Sequence, residues 1–311
     1  VSSWQLGTDG YELDATSSAQ VIIETYKNKE VKDKNIELIS KITPPAAAED
    51  FDIKEIVGTG HSNFAGSPKN RRHNIAVGAA AVHGLVIRPG EEFSLITALG
   101  EIDAAAGYLP ELVIKGDKTI PEYGGGLCQI GTTVFRAAID SGLPITARRN
   151  HSYRVSYYEP AGTDAAIYDP SPDVRFINDT NRSILIQSRI EKDDIYFDFW
   201  GTKDGRLVTT TTPVVYNIVK PAPTKIIETE DLKPGEKKCT EKAHNGADAY
   251  FDYTVIYPEG ATSSPLEQTR RFSSHYVPWQ EVCLVGKTAS SSAATSTAST
   301  TAPSTATSTA E

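Results

Sequence analysis

In the stretch Tyr123-Gly-Gly-Gly-Leu-Cys-Gln-Ile-Gly-Thr-Thr133 a single cysteine follows a glycine run and opens a helical pattern. From Cys128 to Ser141, the apolar residues Ile130, Val134, Phe135, Ala138 and Ile139 fall on one face at helical spacing. Gly142 suits the position after a helix, and Pro144 stops any continuation. Cys128 therefore belongs in the first turn, where unpaired N–H groups and the helix dipole favour an anion. Thiols so placed have pKa values lowered to roughly 3.5–7.5, which makes them nucleophiles at neutral pH. Gly124, Gly125 and Gly126 keep side-chain bulk away from the sulfur and leave backbone donors facing a bound group. Against this stands the plainer reading of Cys128 as a small buried hydrophobe beside a tight turn.

A thiol enzyme also needs a base and an acid that orients it. The thiolate attacks a carbonyl, the imidazole moves the proton, and the acid fixes the imidazole's tautomer. His151 precedes the β-type run Tyr153–Tyr158, and a turn and short strand lead on to Asp164 and Asp169. Cysteine at a helix start, histidine on a strand and acid on the next strand is the order of papain-like and transglutaminase-like enzymes. Asp164 and Asp169 compete for the third role, and each is also a natural turn residue. The Gln129 side chain joins the backbone N–H groups as an oxyanion donor. Arg148, Arg149 and Arg154, around His151, suit carboxylate or phosphate groups of a ligand.

Further residues resemble the VanW family. These are Asn63-Phe-Ala-Gly-Ser67, Asn70-Arg-Arg-His-Asn-Ile75, Pro89-Gly-Glu-Glu-Phe-Ser94, Gly107-Tyr108, Gly124-Gly-Gly-Leu-Cys-Gln129, His151-Ser152 and Gly162-Thr-Asp-Ala165. The resemblance covers about residues 51–200, and Gly131 stands where the family has a small hydroxyl residue. It implies an extracytoplasmic, cell-wall setting, and it ranks Asp164 above Asp169 because Asp164 lies in the matching motif. A cell-wall polymer or its peptides is the implied partner, and Ser152 joins the ligand-binding set. The expected activity is a thiol-dependent amide hydrolase or transpeptidase acting on peptidoglycan peptides. The competing expectation, if Cys128 is inert, is a non-catalytic wall-binding or surface-display module.

The net charge of −9 argues against nucleic acid as a partner. No run of 18 apolar residues exists to span a membrane. Without a signal peptide or any methionine, the chain reads as a mature or trimmed fragment, anchored by a segment it lacks. Of three cysteines, Cys239 and Cys283 fall together late in the chain: the expected disulfide between them implies an oxidising compartment and leaves Cys128 free, the alternative being two reduced, buried thiols. His61, His73, His83 and His151 show no zinc spacing, and no phosphate or dinucleotide fingerprint occurs, so no metal or cofactor is expected.

The organisation expected along the chain has four parts. Residues 1–50 read as the end of an upstream putative peptidoglycan-binding region with a linker, including a helix at 16–28 and a strand at 35–43. Residues 51–205 form the VanW-like module: α+β, with helices packed on an antiparallel sheet. Its helix at 68–83 starts with Ser67 as cap and Pro68 at the first position. Lys69, Arg71, Arg72 and His73 make that start basic, a solvated face or a meeting point for an anion. A short helix is expected at 100–107 and a hairpin around residues 116–117. Residues 206–286 read as an extended connector and a small all-β module weakly similar to five-glycine wall domains. Residues 287–311, nearly all Ser, Thr and Ala, read as a disordered tail.

Overall fold

The computed structural model describes residues 10–27, 36–43, 52–115, 118–260 and 265–287. The linker expected at 44–50 and the tail at 288–311 lie outside these residues. The chain divides into two compact units: Val1–Lys220 with Asn245–Pro278, and Pro221–His244 with Trp279–Glu311.

In the first unit, helix α1 (Ala15–Lys27) accompanies an antiparallel pair, Gly10–Leu13 with Ser40–Thr43. The main sheet is antiparallel, in the order Glu55–Asn63, Asp194–Gly201, Ile184–Glu191, Val86–Ile87. Alternation decides its buried face: Ile195, Phe197 and Phe199 point into the core from one strand. Helix α4 (Cys128–Asp140) lies directly on the edge strand because that strand carries glycines at the contact. A Cβ at Gly60 would overlap the Thr133 carbonyl, and one at Gly58 would overlap Ser141. The Thr59 N–H donates to Asp140 Oδ2 at 2.8 Å, tying strand to helix end.

Helix α2 (Lys69–Val82) presents Arg71, Ile75, Gly78, Ala79 and Val82 as its buried stripe. Pro68 stands at its cap without a side-chain cap bond, and Ser67 Oγ instead accepts from Arg71 Nη1 at 2.5 Å. A short helix α3 spans Leu95–Leu99, capped by Ser94; residues 100–107, expected to be helical, form turns. The hairpin Pro110–Lys115 with Lys118–Tyr123 delivers the chain to the glycines.

Strand outweighs helix throughout, and two expectations about the site's neighbourhood need correction. Residues 153–158 are not a strand but a loop closed by a single 3₁₀ turn at Ser156–Tyr158, and no strand runs through residues 164–169. The expected boundary at 205/206 also fails. Leu207–Thr210 and Val214–Val219 are strands flanking Gly246–Ile256, whose other edge pairs with Glu267–Tyr276. This sheet shares the core of the first unit: Phe272 meets Phe135 edge-on at 5.4 Å, and the Tyr253 hydroxyl donates to Leu143 O at 3.1 Å.

The second unit holds Lys225–Thr229 parallel to Val282–Gly286, with Lys237–Glu241 antiparallel on the other side. Cys239 and Cys283 are opposite each other in register and joined by a disulfide, their Cα atoms 3.8 Å apart. Among the described residues, the one convergence of metal-type donors is Cys239, Glu281 and Cys283, and the disulfide consumes both thiols.

Candidate active site

Cys128 is the first residue of α4, preceded by a turn whose geometry needs glycine. Gly124 and Gly126 have φ of +76° and +114°. A Cβ on Gly125 would come within 2.7 Å of Glu111 O, and one on Gly126 within 2.8 Å of Arg71 Cγ. The glycines therefore let the turn seat between the hairpin and α2. Two of the turn's N–H groups are already used: Leu127 N donates to Gly124 O, and Gln129 N to Gly126 O.

His151 is held from several sides. Its backbone N–H donates to Asp164 Oδ2 at 2.7 Å, and its Nδ1 meets the same oxygen at 2.6 Å. The ring stacks on Tyr158, centroids 4.6 Å apart and planes 18° from parallel. Asp164 is buried, 3% exposed, and its other oxygen accepts from the Tyr276 hydroxyl at 2.6 Å and from Arg148 Nη2 at 3.3 Å. Burial opposes ionisation here, but the His151 bond and charge, then Arg148 and Tyr276, outweigh it and hold the carboxyl at about 2. An ionised Asp164 fixes the proton on Nδ1, so Nε2 is the nitrogen left for chemistry. Nε2 is buried and satisfies no strict hydrogen-bond geometry.

Cys128 is a free, half-buried thiol, its Sγ 3.6 Å from Ile167 O. Burial pushes the thiol up, but the charge of His151 and its proximity to the ring overcome this, with Arg71 adding to the effect, and the net shift is downward. For His151 burial favours the neutral ring, whereas the Cys128 charge and the Asp164 bond carry the balance upward. Both directions favour a thiolate–imidazolium pair.

The structure thus brings together Cys128, His151 and Asp164, and leaves other expected site residues elsewhere. Asp169 is exposed and makes no part of the His151 support. Gln129 is not available as an oxyanion donor. Its Nε2 donates to Ser62 Oγ at 2.7 Å and Asn63 O at 3.3 Å, and its Oε1 accepts from Arg71. Arg148 is not a ligand cation: its guanidinium is buried and spent on Asp164, Gly162 O and Ser274 Oγ. Arg154 is exposed and paired with Glu159 at 2.6 Å, Arg149 is exposed, and Ser152 is exposed with its carbonyl accepting from Val277 N.

The basic start of α2 also separates. Arg72 pairs with Asp193 at 2.5 Å, His73 reaches Gly107 O, and Arg71 alone turns inward. Arg71 Nη2 donates to Gln129 Oε1 at 2.8 Å and Tyr158 OH at 3.2 Å. Its position was readable in principle, since Arg71 precedes Ile75, Ala79 and Val82 on the same helical face. A separate cavity of about 480 Å³, lined by Thr59, Arg136, Thr163 and Thr211 among others, does not include Cys128.

Residues 70–200 match the family described as VanW like protein. The chain carries a VanW-like domain. That domain contains Arg71, Cys128, His151 and Asp164, whereas Tyr276 lies beyond the match. The chain is 36% identical over 126 residues to the uncharacterized protein YoaR of Bacillus subtilis (strain 168), covering 40% of this chain and 41% of that one. It is 28% identical over 140 residues to the vancomycin B-type resistance protein VanW of Enterococcus faecalis (strain ATCC 700802 / V583), covering 43% and 50%. The chain thus spans half or less of the curated relatives it matches. Among solved structures, the G5 domain of an IgA1 protease covers 28% of this chain and 94% of its own, at 14% identity and a TM-score of 0.17.

Proposed function

We propose that the VanW-like domain is a thiol acyl-transfer catalyst of the cell envelope, acting on amide bonds in peptidoglycan peptides. The observation that carries this reading is the 2.6 Å contact between His151 Nδ1 and Asp164 Oδ2, with the free thiol of Cys128 beside the same ring. The cell-wall setting rests on the VanW-like match and on the relative named for vancomycin resistance. The chain order of cysteine, histidine and acid is similar to that of papain-like enzymes and supports the reading.

In the reaction, the Cys128 thiolate forms a bond to the amide carbon, and the carbonyl π electrons move to oxygen. The N–H of Cys128, at the first residue of α4, is the donor assigned to the developing oxyanion. Collapse expels the amine, which takes its proton from His151 Nε2 and leaves a thioester on Cys128. Water or a second amine then attacks the thioester, Nε2 accepts its proton, and Cys128 leaves as the thiolate, which restores the thiolate–imidazolium pair. Asp164 keeps its charge throughout and holds the ring in one tautomer. Hydrolysis and transpeptidation share every step but the identity of the second nucleophile.

Purified peptidoglycan incubated with the protein, followed by mass spectrometry of muropeptides, tests the reading. Cleaved or exchanged peptide bonds that vanish in Cys128→Ala are expected. Wall binding that survives Cys128→Ala, with no change in any muropeptide, would instead make the domain a non-catalytic wall-binding module.

A further inference from the structure

The Asp164 carboxylate is fixed from outside the VanW-like match. Tyr276 ends the strand Glu267–Tyr276, and its ring is buried against Ala161 and Ala249. Its hydroxyl oxygen accepts from the Gly162 N–H at 2.6 Å, so its single proton is directed to Asp164 Oδ1, also at 2.6 Å. Burial and the neighbouring Asp164 both push the phenol well above its usual value, so it stays a donor. The flanking residues clasp the histidine segment: Asn150 Nδ2 donates to His275 O at 2.8 Å, and Val277 N donates to Ser152 O at 2.8 Å.

We infer that Tyr276 is a positioning residue of the thiol site, acting through Asp164 on His151 and thence on Cys128. This rests on the reading of Cys128 as an activated thiol. One carboxylate oxygen serves His151 twice, and Tyr276 is the shortest contact on the other oxygen. Without the hydroxyl, Oδ1 keeps only the longer Arg148 contact, and the buried Gly162 N–H loses its acceptor. The carboxylate then turns toward that orphaned donor, His151 loses a fixed partner, and the imidazolium holds the thiolate less well. The strand from 267 to 276 is therefore part of the site, not a spacer behind it.

The test compares the whole chain with Tyr276→Phe, which keeps the ring and removes only the hydroxyl. Iodoacetamide labelling of Cys128 is followed against pH, alongside a thermal melt. The expected result is an inflection raised by about half a unit or more, and labelling at pH values below the wild-type inflection slowed about threefold. A profile superimposed on that of a depressed wild-type thiol overturns the inference and leaves the Cys128 reading intact. A wild-type inflection near the ordinary ~8.5 defeats the Cys128 reading itself, and the inference with it. If the phenylalanine variant does not fold, 3-fluorotyrosine at position 276 keeps the shape and strengthens the donor. An inflection then unmoved from wild type overturns the inference, and a moved one supports it.

Discussion

Arg71 Nη2 and Gln129 Oε1 are joined at 2.8 Å across 58 positions of sequence, linking α2 to the residue after the candidate nucleophile. The bond runs from a buried cation to an amide whose other end holds Ser62 and Asn63 O. Gln129 is thus the joint through which a positive charge is kept near Cys128, and not a donor waiting for substrate.

Gln129→Ala leaves Arg71 and Ser62 short of partners in a buried place. It is expected to cost about 3 kcal/mol in urea unfolding, at the upper end for an unmatched buried polar group. A variant that unfolds like wild type and loses only turnover would point back to an oxyanion role.

Asp164 makes stability pH-dependent in a defined direction. Its folded value of about 2 lies below the unfolded 3.8, so its contribution is whole above about pH 4 and disappears as pH falls toward 2. That contribution amounts to ~2 kcal/mol. Urea titrations at pH 7, 4 and 2.5 should show the wild type losing this much more than Asp164→Asn over the acid range. Parallel losses in the two proteins would mean that Asp164 is not held ionised.

The three cysteines give a direct count. Thiol titration of the native oxidised protein should find one reactive thiol, and three after reduction and unfolding, because Cys239 and Cys283 are paired. Replacing both by alanine is expected to destabilise by up to about 4 kcal/mol in the chain-entropy picture of loop closure. Three titratable thiols before reduction would contradict the pairing.

What the sequence made legible was local. Helix α4 was readable because its apolar residues recur at helical spacing and Gly142 follows with φ of +74°. Tyr153–Tyr158 misled because β-propensity reflects burial in a sheet, and here Tyr158 is buried against the His151 ring instead. The Thr- and Pro-rich residues 207–219 passed for a connector because they become strands only by pairing with Gly246–Ile256. Within the site, Cys128, His151 and Asp164 were marked by residue type and order. Tyr276 carries no local signal, since its contact with Asp164 spans 112 positions.

The central claim is that His151 keeps Cys128 as a thiolate. Its most direct measurement is the rate of iodoacetamide labelling of Cys128 against pH, in wild type and in His151→Ala. The lowered thiol requires a wild-type inflection clearly below the ordinary ~8.5, and removal of the imidazole should raise it toward that value or higher, because burial is then opposed only by the smaller effects of Ile167 and Arg71. An inflection at or above ~8.5 in the wild type, unmoved by His151→Ala, would contradict the claim.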